Sequence, residues 1–180
     1  MRKKVVFLLS TVALLVLLMP ACLVPVTPTP VPVAATWVLK VGVSDVIPEV
    51  VEPQPGGGDL RLRWRNYSST GDFVGTSVNA MRVVRPATAL ATPAAGTNTA
   101  DGLWTVRATY KPGTPEQRSG TFVFQFTFAF DAGVGSSTLK GDWRIIGGTQ
   151  DFANLSGQGT WLQSAANTYS YTGQISFGPK

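Results

Sequence analysis

Apolar and polar residues alternate with period two through most of the chain beyond residue 36. The clearest stretch is Gly120 to Asp131. There Phe122, Phe124, Phe126, Phe128 and Phe130 share one face, and Val123, Gln125, Thr127 and Ala129 share the other. A helix would scatter those rings around its axis, whereas a strand stacks them on one side. Burying one Phe contributes about 1.5–3 kcal/mol, so this face belongs to a core or to a cavity wall. The same period predicts strands at Trp37–Ser44, Leu60–Arg65, Phe73–Arg85, Leu103–Tyr110, Leu139–Ile146, Gly159–Gln163 and Tyr169–Phe177. On Leu60–Arg65 it puts Leu60, Leu62 and Trp64 on one face and three arginines on the other. Gly-, Pro- and Asn-rich turns join these segments. The expected fold is all-β: about eight antiparallel strands in a single barrel, with a β-sandwich as the alternative. Closure would also protect the sheet edges. Pro86–Thr99 reads as an exposed loop. Val46–Gly58, with three prolines and three successive glycines, reads as a loop that either crosses a barrel mouth or stays unstructured.

The first 36 residues follow a different pattern. Arg2, Lys3 and Lys4 precede an apolar run from Val5 to Met19, and Pro20-Ala21-Cys22 follows at once. That order is an export signal. Leu18-Met19-Pro20-Ala21-Cys22 resembles the lipobox of bacterial lipoprotein signals, although Met19 and Pro20 depart from its usual residues. The resemblance implies cleavage before Cys22 and lipid on its thiol. Stable attachment needs two or more acyl chains, which a lipoprotein cysteine carries. Two alternatives stay open: cleavage after Val33-Ala34-Ala35, which would release a soluble protein, or an uncut membrane anchor. Residues 1–21 are thus expected to be the signal, 22–36 a proline-rich tether and 37–180 the barrel domain. Pro25, Pro28, Pro30 and Pro32 predict an extended polyproline stalk. The expected location is the cell envelope, with the lipid at Cys22 holding the protein to a membrane.

Charge and composition prune the chemistry. The chain carries 15 basic and 10 acidic residues; without the signal's three, the basic count falls to 12. That near balance gives no reason to expect a nucleic-acid partner. There is no histidine, and Cys22 is the only cysteine. A Ser-His-Asp or Cys-His centre is therefore impossible, as is a metal or haem site built on His or Cys. No cofactor or metal is expected. Carboxylate acid/base work, a lysine nucleophile or pure binding remain.

One stretch carries a family resemblance. Gly141-Asp142-Trp143-Arg144-Ile145-Ile146-Gly147-Gly148-Thr149 runs into Asp151-Phe152-Ala153-Asn154-Leu155-Ser156-Gly157-Gln158-Gly159-Thr160. With Gly71-Asp72-Phe73-Val74-Gly75-Thr76 and Ser119-Gly120-Thr121-Phe122 upstream, this resembles small uncharacterised bacterial proteins of the allene oxide cyclase-like, or dirigent-like, β-barrel group. It departs from them at Gln150, where the group commonly has glycine. The resemblance implies a barrel and says little about activity. The motif itself reads as structural, with Gly147-Gly148 permitting positive φ in a tight turn. Phe152 and Leu155 are expected to plug the barrel end.

Two sets of residues are candidates for binding. Trp104, Phe124, Phe126, Phe128 and Trp143 could line a pocket for a small apolar ligand, although core packing is their ordinary role. Arg61, Arg63 and Arg65 could meet an anionic surface or an acidic ligand, although a solvated strand face is the ordinary reading. The functional expectation is a membrane-anchored extracytoplasmic barrel that binds a small apolar or amphipathic ligand or an envelope partner. The alternative is a cyclase- or isomerase-like barrel enzyme acting on an apolar substrate.

Overall fold

A computed structural model of the chain describes residues 27–40, 45–86, 97–131 and 139–179. The signal and Cys22 lie outside them, as does the Phe130 side chain. The strands are β1 (Val31–Leu39), β2 (Asp45–Pro53), β3 (Asp59–Gly71), β4 (Phe73–Arg85), β5 (Thr97–Tyr110), β6 (Arg118–Asp131), β7 (Lys140–Gly148), β8 (Leu155–Ala165) and β9 (Thr168–Phe177). One 3₁₀ turn, Gln150–Phe152, interrupts them. The sheet runs β1-β9-β8-β7-β6-β5-β4-β3 and closes through a β1–β3 ladder. The result is an eight-stranded antiparallel barrel with β2 added along the first half of β3.

Following the cross-strand pairs from Arg63 leads through Met81, Gly102, Phe126, Trp143, Gly159 and Gly173 to Val33. Because Ala35 faces Gly71, the circuit closes about ten residues further along β3. A shear of that size tilts the strands and leaves an interior just wide enough for side chains to fill. Aromatic rings fill it here. Trp104 stacks on Phe124 at 5.7 Å, and Trp37 meets Tyr171 edge-on at 4.6 Å. Glycines make room for the largest rings. A Cβ on Gly173 would lie 2.6 Å from the Trp143 indole and 2.3 Å from the Gln158 carbonyl oxygen. The Trp143 Nε1–H donates to the Thr160 and Thr172 carbonyls, both at 3.1 Å. The outer face of β6 to β9 instead carries Gln125, Thr127, Asp142, Arg144, Gln158, Thr160, Thr172 and Gln174.

One end of the barrel is sealed. Phe152, fully buried on the 3₁₀ turn, packs against Phe122 at 5.5 Å, Phe73 at 5.9 Å and Phe177 at 6.3 Å. The family-like motif gathers around it. A Cβ on Gly120 would meet the Thr149 carbonyl at 2.5 Å, and one on Gly148 would meet the Phe152 carbonyl at 2.1 Å. Gly148 is thus needed for space, and neither Gly147 nor Gly148 has the expected positive φ. That conformation falls on Gln150, at φ 56°, where the resembling proteins commonly have glycine. At the same end, Asp72 extends the β1–β3 seam past the turn. Its Oδ2 accepts from the Ala34 N–H at 2.7 Å, and its own N–H donates to the Ala34 carbonyl at 2.9 Å.

Three boundaries differ from the sequence reading. β1 begins at Val31, so residues 31–36 of the expected tether are barrel wall. Pro32 is tolerated there because Ala34 turns its N–H and carbonyl towards Asp72, away from β9. Alternation turns the Pro32 nitrogen the same way, beyond the end of the β1–β3 ladder, so no ladder hydrogen bond is lost. β2 occupies part of the expected loop at 46–58, with register shifts between Asp45 and Val50 absorbing Pro48. β5 starts at Thr97 rather than Leu103.

Candidate functional site

The other end of the barrel opens into a cavity of about 170 Å³. Its apolar wall comes from Met81 and Val83 on β4, Trp104 on β5, Phe126 and Phe128 on β6, and Trp161 on β8. Arg63, Arg65 and Tyr67 on β3, Asn79 on β4 and Tyr169 on β9 supply its polar wall. Below it the barrel is packed with aromatic rings, and a void of about 20 Å³ lies beside Phe124, Trp143 and Tyr171, enough for about one water.

The arginines occupy the opposite face from the one expected. Tyr67 and Ser69 are buried inside, so residues of the same parity on β3 also point inward. Arg61, Arg63 and Arg65 therefore line the inner rim of the mouth, and Leu60, Leu62 and Trp64 turn outward. The solvated-face reading fails because the lower half of the strand sets the parity. Carboxylates from the rim hold three arginines. Glu49 on β2 takes Arg61 at 3.3 Å and Arg63 at 3.0 Å. Asp59 accepts from Arg85 Nε at 2.7 Å, with Arg85 Nη2 on its other oxygen, and from Arg61 at 3.4 Å. The Arg85 hydrogen bonds pull the Asp59 carboxyl down to about 2. Burial raises the Glu49 carboxyl, but Arg63 and Arg61 outweigh it and the net shift is downward.

Deeper in, Arg65 hydrogen-bonds the Tyr67 hydroxyl, which also hydrogen-bonds Tyr169. Burial raises Tyr67 and Tyr171 well above the ordinary phenol range and raises Tyr169 as well, so all three are neutral at physiological pH. On the residues of the cavity wall, Asn79 Nδ2, Trp104 Nε1 and Trp161 Nε1 have no hydrogen-bond partner among the described residues. Asn79 is only 1% exposed. No carboxylate is among the described residues that line the cavity.

Of the five aromatic candidates, Trp104, Phe126 and Phe128 reach the cavity. Phe124 and Trp143 lie in the packed interior below it. Arg63 and Arg65 line it, and Arg61 sits above them at the rim. Sequence reasoning left out Tyr67, Asn79 and Tyr169, which converge only through the tilt and closure of the barrel. Among the described residues no group of His, Cys, Asp or Glu could hold a metal ion.

No protein-family profile and no curated protein matches the chain by sequence. Its fold is similar to the crystal structure of a protein of unknown function from the DUF3224 family of Shewanella oneidensis MR-1. The TM-score is 0.57 at 16% identity, over 84% of this chain and 100% of that one. A likeness at that identity speaks for the barrel alone.

Proposed function

We propose that this chain is a lipid-anchored envelope protein whose barrel mouth holds a small amphipathic ligand. The observation that carries the binding half is a mouth cavity of about 170 Å³ with an aromatic and a polar wall, set above an interior packed with aromatic rings. A cavity of about 150 Å³ is enough for benzene, so this one suits a single ring with a polar substituent. Neighbouring aromatics give such a site apolar area, and a few convergent polar groups orient the guest. The anchoring half rests on the signal-like segment and Cys22. A cyclase- or isomerase-like reaction would need an acid or base facing the ligand. Glu49 and Asp59 are instead engaged with arginines above the cavity, so the arrangement favours binding. The sequence resemblance to allene oxide cyclase-like barrels supplies no matching catalytic residue.

Native mass spectrometry of full-length protein, purified gently from its own membrane, tests the reading. A bound species of a few hundred daltons, lost on unfolding, is the expected result. A bare protein that also takes up no small ring compound would overturn it.

A further inference from the structure

We infer that the ligand of the mouth cavity is a small ring-bearing oxyanion, with its charged end on Arg63 and its ring among Trp104, Phe126, Phe128 and Trp161. This rests on the proposed binding role and names the chemistry of that same site. The first support is a donor–acceptor imbalance. The polar wall offers guanidinium, phenol, indole and amide donors, and its described residues include no carboxylate. Indole and guanidinium groups donate and cannot accept. A guest that satisfies this wall must bring acceptors.

The second support is Asn79. It is almost fully buried, lines the cavity, and its Nδ2 has no partner among the described residues, as is also true of Trp104 and Trp161 Nε1. A buried donor left unpaired is unfavourable; these three nitrogens are closed to water, so an acceptor on the guest pairs with them once the side chains turn towards it. The third is Arg63. It spends Nε on Glu49 at 3.0 Å. Its two terminal nitrogens have no partner among the described residues, and that pair matches the two oxygens of a carboxylate. Glu49 fixes the guanidinium from behind without occupying that edge. The cavity volume limits the apolar part to about one ring.

Three probes of one ring size separate the possibilities: benzoate, benzyl alcohol and benzylammonium. Binding to the full-length protein is followed by tryptophan fluorescence, since Trp104 and Trp161 line the cavity, and checked by calorimetry. Benzoate is expected to bind at least tenfold tighter than benzyl alcohol, with benzylammonium weakest. Arg63→Gln should cost benzoate about tenfold and benzyl alcohol much less. Asn79→Leu, which removes the buried donor at similar volume, should weaken benzoate too. Should Asn79→Leu misfold, Trp161→Phe keeps a ring and removes its N–H. Equal binding of benzoate and benzyl alcohol, or indifference of benzoate to Arg63→Gln, overturns the oxyanion inference and leaves the binding role standing. If none of the three binds at millimolar concentration, the binding role falls as well.

Discussion

Replacing Phe152 with alanine tests whether the sealed end carries the stability of the barrel. The side chain is fully buried and sits edge-on to Phe122 and Phe73 at interplanar angles of 88° and 68°. Burial of one Phe contributes about 1.5–3 kcal/mol, and each such aromatic pair adds about 0.5–1.5 kcal/mol. Together they place the cost of Phe152→Ala near 3–5 kcal/mol, the range typical of buried Phe→Ala changes. Domains of this kind are stable by about 5–15 kcal/mol in all. The loss should lower the urea midpoint by about 2 M for a denaturant slope near 2 kcal/mol per molar. Phe152→Leu keeps most of the apolar burial and should cost only about 1–2 kcal/mol. Urea unfolding, followed by tryptophan fluorescence and circular dichroism together, measures both. A Phe152→Ala protein within 1 kcal/mol of the wild type would refute the reasoning, since the ring would then not be bearing on its neighbours. Below its unfolding transition that variant should still bind ring probes, because the cavity lies at the other end.

Gln150→Gly should leave stability unchanged or raise it by up to about 1 kcal/mol. The left-handed backbone costs a non-glycine residue about 1–2 kcal/mol, against the extra chain entropy that glycine loses; a thermal melt showing clear destabilisation would contradict this. Asp59 gives a pH signature. Its carboxyl lies near 2 in the fold against an ordinary 3.8, so its contribution is present above about pH 4 and is lost as pH falls towards 2. Wild-type and Asp59→Asn unfolding curves should therefore differ at pH 6, in favour of the wild type, and converge near pH 2; parallel curves across that window would rule the contribution out. Cys22→Ala should move the protein from the membrane pellet to a soluble fraction, and a variant that stays with the membrane would exclude lipid at that residue as the anchor.

The barrel was legible because its signal is repeated. Four described phenylalanines on one face of β6, and matching alternation on β4, β5 and β9, all name the same interior. What escaped was what proline and parity obscure. Pro32 and Pro48 argue against strands unless one knows which way each nitrogen points, and a sequence does not say where a ladder ends. On β3 the apolar set Leu60, Leu62 and Trp64 made the arginine face look external. The inward parity is set by Tyr67 and Ser69, a few residues on, where the strand enters the closed wall. The cavity was less legible still. Its polar wall joins β3, β4 and β9, and its apolar wall adds β5, β6 and β8. Only the stagger of about ten residues brings those positions to one level.

The direction of β1 has a further meaning. Val31 pairs with Ile175 near the Phe152 plug, and Leu39 pairs with Tyr67 near the mouth. The chain therefore joins the wall at the closed end. If lipid at Cys22 fixes the residues before it, the barrel stands on its base like a cup on a short stem, with its rim turned away from the bilayer. Cargo would then arrive from the aqueous side rather than by sideways exit from the lipid. A partner collecting it would have to approach from above.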